Sequence, residues 1–174
     1  ILALSAAELA EAHGLSWLFS RGGTEREPGC IEHCLLPAAV YHAGALPERP
    51  EHEDEDWWRQ YGTVAGVDPV SGSTAGQGSI QPTRAYWTIQ ELHFEATGAT
   101  PGNHEPIGIG YYRVLGRGSA LQPGSVTVTE SIVARPWGEH VSPIGFPPSE
   151  PLSAFCEEYD AETPCGVLAW RRRR

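Results

Sequence analysis

Lysine is missing from this chain, so all 12 of its basic residues are arginines. Methionine is missing too, and asparagine occurs once, at Asn103, a usage that reads as a GC-rich coding sequence and carries no mechanism. Without a lysine there is no phosphate loop: "GRGSALQPG" follows a strand-like run but lacks the P-loop lysine and the helix that must follow it. Positive charge is scarce as well. Arg171 to Arg174 close the sequence, which leaves 8 arginines in the body to face 22 acids. A surface of that balance repels nucleic acid and anionic lipid, because phosphate binding needs clustered cations on the fold itself. No apolar run approaches the ~20 residues of a membrane span, and "ILALSAAELAEAHG" has no basic start to make it a signal peptide. No G-x-S-x-G elbow and no recognisable serine nucleophile are present. No cofactor motif is found, and none is expected.

What is present suits one folded domain. The 174 residues are 40% apolar, with six Trp and six Tyr, enough to bury roughly 70% of the extended chain's surface. Twenty Gly and fifteen Pro argue against an all-helical chain. Ser5 and Glu8 form a capping box, with Leu4 and Leu9 placed as a hydrophobic staple, and Gly14 supplies a stop; the spacing predicts a helix over 6–13. "LSWLF" follows as a second short amphipathic piece. The acids between Glu51 and Asp56 lead into a short helix in which Trp57, Trp58 and Tyr61 share a face. Residues 62–78 are rich in Gly, Ser, Thr and Asp and read as a long loop, functional or mobile.

The second half is strand-like. In "RAYWTIQELHFEATG" the apolar set changes face midway, which predicts a bulge near Gln90 and Glu91. "IGIGYYRVLG" and "SVTVTESIVAR", joined through Pro123–Gly124, read as an antiparallel pair. After Pro136 the Pro-rich run can only be extended or irregular. The expected class is α+β: short N-terminal helices, then an antiparallel sheet forming a sandwich or an open cone or barrel. Residues 1–170 form the domain, and 171–174 are expected as a polybasic tail outside it.

Three constellations could carry chemistry. Cys30, Cys34, Cys156 and Cys165 can form two disulfides, remain reduced in the core, or hold zinc with His33. Glu91, His93 and Glu95, expected on one strand face beyond the bulge, could work as a proton-shuttling group. His93 and Glu95 with His140 also have the form of a two-histidine, one-carboxylate metal site. A solvated strand face accounts for the first trio equally well, since the chain's histidines and acids give about one H-x-[DE] by chance. A cone-shaped fold could further line a cavity with His42 and His93 and with Tyr41, Tyr86 or Tyr112.

Two functions are therefore carried forward. One is a non-catalytic recognition, binding or assembly domain acting through exposed aromatics and the 62–78 loop on a protein or small-molecule ligand. The other is a small pocket-type enzyme, a metal-assisted or acid/base cyclase or isomerase, using His93, Glu95 and His140. The start at Ile1 and the closing arginines are read as a chain cut from a precursor, the arginines marking a convertase-type cleavage site. That reading puts the protein in a secretory pathway or on a viral particle, with a cytoplasmic location as the alternative.

Overall fold

A computed structural model describes residues 2–20, 46–72, 85–98, 107–120, 125–138 and 152–173. The expected Cys30–Cys34 pair, His33, Tyr41, His42, the Pro123–Gly124 turn, His140, the Pro-rich run and Arg174 lie outside them.

Helix α1 (Leu2–Ser20) is a single 19-residue helix, longer than the expected 6–13. Its alanine-rich sequence favours helix. Ala3, Ala6, Ala7, Ala10, Gly14, Trp17 and Leu18 are buried along one side of it. Gly14 does not stop the helix. A Cβ there would lie 3.0 Å from Val114 Cγ1 and 3.2 Å from Trp87 Cε3, so the residue marks where the helix presses on the sheet. Packing offsets the ~1 kcal/mol that glycine costs inside a helix, and "LSWLF" continues the same helix.

A short 3-10 helix (Pro50–His52) precedes α2 (Glu55–Tyr61), whose N-cap Asp54 accepts from the Trp57 amide at 2.8 Å. Here the acidic first turn and the aromatic cluster are as expected: the Trp57 ring centroid lies 5.2 Å from those of Trp58 and Tyr61. Strands β1 (Thr63–Val64), β2 (Ala85–Gly98), β3 (Ile107–Ser119), β4 (Val126–Trp137) and β5 (Gly166–Arg173) form one antiparallel sheet in sequential order. A short helix α3 (Leu152–Cys156) precedes β5. The fold is α+β, helix first and antiparallel sheet after. Among the described residues the layers are helix, sheet and short helices, so no second sheet makes a sandwich. Among them, too, no helix is long and apolar enough to cross a membrane.

Alternation assigns the two faces. Trp87, Ile89, Tyr112, Val114 and Val133 meet Trp17, Leu18 and Phe19 on the α1 side. Tyr86, Leu115 and Val128 meet Trp58 on the other. The α1 layer lies almost on the backbone of β3. A Cβ on Gly116 would collide with the Ala7 carbonyl and lie 2.6 Å from the Glu11 amide nitrogen, and one on Gly118 would collide with Ala3 and Ala7. Small residues on both partners are what permit this approach.

The described cysteines settle one question. Cys156 and Cys165 form a disulfide with Cα atoms 5.6 Å apart, so neither is a zinc ligand or a free core thiol.

The polybasic tail is corrected. Arg171, Arg172 and Arg173 are paired residues of β5, opposite Glu130, Thr129 and Val128. The charges of Arg171 and Arg173 are matched by acids far away in sequence, Glu130 and Glu51, which is why the run reads as an appendage when taken alone.

Gly116→Ala is expected to lower folding stability by about 1–3 kcal/mol through overpacking, measured as a fall in the urea midpoint at unchanged m-value.

Candidate functional site

The expected trio Glu91, His93 and Glu95 is divided by the fold. The register shifts between Glu91 and His93, with Glu91 opposite Tyr112 and His93 opposite Tyr111. Adjacent partners on β3 point to opposite faces, so Glu91 and His93 do as well. Leu92 is the extra residue of this bulge, one position beyond the expected Gln90–Glu91. Glu91 is buried on the α1 side, whereas His93 and Glu95 are exposed. The His93 ring stacks on Tyr111 at 6.2 Å, and the Tyr111 hydroxyl donates to Glu95 at 3.5 Å. That is a solvated polar face, and the three side chains do not form one catalytic group. No group of three metal-ligating side chains occurs among the described residues, and His140 lies outside them. The cavity set is divided too, since Tyr86 belongs to the face opposite Tyr112.

On the α1 side the fold assembles a polar cluster that the sequence reading missed. Gly108 and Gly110 pair with Trp137 and Arg135. Their missing side chains leave the sheet floor open: a Cβ on Gly108 would lie 2.6 Å from Phe94 Cζ, and one on Gly110 the same distance from Tyr112 Cε2. Over this floor Trp137 Nε1 donates to the Tyr112 hydroxyl at 2.8 Å. The Arg135 guanidinium sits 3.5 Å from the Trp137 ring centroid and 5.6 Å from that of Phe155, a cation–π arrangement strengthened by burial. Burial pushes the Tyr112 phenol far up, helped by the charge of Glu91 and opposed by that of Arg135. Tyr112 is therefore a neutral hydrogen-bonding group at any ordinary pH. Glu91 and Arg135 each engage further partners. A carboxylate, a neutral phenol and a fixed cation thus share one interior. The "IGIGYY" run was its available signal, because alternating glycines in a strand mark close approach.

A second network lies on the opposite face, around Glu130. Its side chain is 4% exposed and accepts from Arg113 Nε at 2.8 Å, Arg173 Nη1 at 2.5 Å and Arg171 Nε at 2.8 Å. Arg173 also donates to Glu51 at 2.7 Å and to the Glu48 carbonyl at 2.6 Å, and Arg113 to the Pro47 carbonyl at 3.3 Å. The segment 47–51 is strapped across the sheet by these bonds. Burial alone would raise the Glu130 carboxyl, but the Arg113 and Arg173 guanidinium groups outweigh it and hold it below the usual range. Lone charged residues inside strand-like runs, Arg113 and Glu130, were the sequence signal, since a mid-strand charge is buried only when paired.

Glu11, on α1, is the opposite case. It is 3% exposed and accepts from the Ser131 hydroxyl and, at 3.2 Å, from Trp170 Nε1. Burial raises its carboxyl above the usual value despite these bonds and the contribution of Thr129.

The outer side of β5 completes the candidate surface. Among the described residues it is the last strand in the sheet order, and Val167, Leu168 and Trp170 are 48%, 51% and 51% exposed. Leu168 is the extra residue of a bulge between the Ile132 and Val133 pairings. Arg171 keeps 62% of its side chain exposed while bonding Glu130. Of the expected 62–78 loop, the described part is tied down: Asp68 accepts from the Val70 amide at 2.8 Å and from Trp17 Nε1 at 3.4 Å.

The chain matches no protein-family model, no curated protein and no solved structure. Its fold and its surfaces therefore carry the functional reading.

Glu130 and Glu11, both buried, have opposite signs in their linkage to pH. Glu130, held low, contributes stability present above its unfolded value of 4.5 and lost as pH falls through the lower folded value. Glu11, held high, contributes stability that is full below 4.5 and lost as pH rises through its folded value. Glu130→Gln is expected to lower stability at pH 7 by about 3–5 kcal/mol, because it strands buried guanidinium charge. Glu11→Gln is expected to remove the loss above pH 4.5, with the amide donating to Ser131 and accepting from Trp170. Urea titrations of both variants between pH 3 and 8 check the two signs.

Proposed function

We propose that this chain is a non-catalytic recognition or assembly domain whose contact element is strand β5. The observation that carries the reading is that β5, at the end of the sheet, leaves Val167, Leu168 and Trp170 about half exposed. Natural proteins blunt such edges, so an apolar edge of this kind is a template for another strand. The strand is also ordered in advance. The Cys156–Cys165 bridge fixes its start, and the bonds from Arg171 and Arg173 to Glu130 fix its end. A partner that docks there loses little free energy to ordering this strand. Trp170 supplies the exposed aromatic that the sequence reading sought, and β5 replaces the 62–78 loop as the binding element.

A second reading, the small pocket-type enzyme, is favoured by one observation: Glu91, the neutral Tyr112 and the Arg135 cation share the α1-side interior. In that reading Glu91 is the candidate base, in place of His93 and Glu95.

The β5 reading is tested with the protein immobilised too sparsely for copies to meet. A random octapeptide library is expected to yield extended apolar binders, and Leu168→Asp to weaken them roughly tenfold or more at unchanged melting temperature. A library that yields no binders, or binders indifferent to Leu168→Asp, overturns the reading.

A further inference from the structure

The contact edge has a charge order of its own. Read along the chain, Glu157, Glu158, Asp160 and Glu162 come first, then Val167, Leu168, Ala169 and Trp170, then Arg171 and Arg172. All four acids are exposed, and the turn that carries them is tied by hydrogen bonds. Asp160 accepts from the Thr163 amide at 2.9 Å, the Thr163 hydroxyl at 2.8 Å and the Glu162 amide at 3.2 Å, and the Cys156–Cys165 bridge spans the segment. Acid, apolar strand and base thus form a fixed three-part strip.

Such a strip complements itself in one direction. Laid antiparallel on a copy of itself, it sets the acidic turn of each chain against the arginines of the other, with the apolar residues between them. Laid parallel, it sets like charge on like charge, which is destabilising. An antiparallel pair is related by a two-fold axis, so each favourable contact occurs twice. The rest of the chain adds weight. With 22 acids and a net charge of −10, two copies repel over most of their surface, and the basic end of β5 is where one acidic body can meet another.

We propose that the partner of β5 is β5 of a second copy of this chain, docked antiparallel across a two-fold axis. This rests on the reading of β5 as the contact edge, and names its occupant. The apolar residues supply the attraction, and the charged ends supply direction and register.

Sedimentation equilibrium of the full chain at low salt, with charge reversals at the two ends, tests it. The wild type is expected to be a dimer. Arg172→Glu alone and Glu162→Arg alone are each expected to weaken the dimer roughly tenfold or more. Both changes in one chain restore complementarity and are expected to recover most of that loss. Melting temperatures confirm that each variant is folded, since both side chains are on the surface and apart from the Glu130 network. A wild type that stays monomeric at about 100 μM, far above the range of specific dimers, overturns the proposal. So does a double variant no tighter than the single ones. If the wild type is monomeric but peptides still bind in a Leu168-dependent manner, the contact edge stands and the second copy is rejected as its occupant; loss of both rejects the edge itself.

Discussion

One buried carboxylate, that of Glu130, organises half of this molecule. It sits mid-strand on β4 with three arginines converging on it, from β3 and from two positions on β5. Paired burial of this kind seldom adds much net stability over an apolar core, because desolvation takes back most of the attraction. What it supplies is specificity. It tells β5 which neighbour to join and in which register, and through Arg173 and Glu51 it draws the 47–51 segment onto the same face. The strand that reaches outward is held from within.

The other half of the molecule is governed by the absence of side chains. Gly116 and Gly118 bring α1 down onto β3, and Gly108 and Gly110 open the sheet floor beneath Tyr112, Arg135 and Trp137. The same strand therefore serves two purposes along its length, helix docking at one end and a polar-aromatic interior at the other. Glycine is costly in a strand, with no side chain to pack and more entropy to lose. That cost is offset by backbone contact at one end and aromatic cover at the other.

How far these arrangements were legible in the sequence depends on the range of each interaction. Local signals read well: the acidic first turn and aromatic cluster of α2, the β3–β4 pair, the need for a bulge in β2, and the α+β order all follow from residues close together. Gly14 misled, because a glycine that ends a helix and one that docks a helix look alike until the surface opposite is known. The bulge lay one residue later than expected, and since side-chain direction alternates, that single step separated Glu91 from His93 and Glu95. The closing arginines misled for a related reason. Their partners Glu130 and Glu51 are 41 and 122 residues away, and no local pattern announces them. Arg135 and Trp137 stand two apart and share a face of β4, but Pro136 between them read as the end of the strand, so the indole over the guanidinium went unseen.

The bond between Trp170 and Glu11 spans 159 residues. A ribosome adding roughly 5–20 residues per second delivers that indole on the order of ten seconds after the acid it will cover. Within that interval the strands β2, β3 and β4 that form the floor under α1 are made first, and the flank that Trp170 supplies follows them. Helix and edge strand are thus joined late, after the strands that lie between them in the chain.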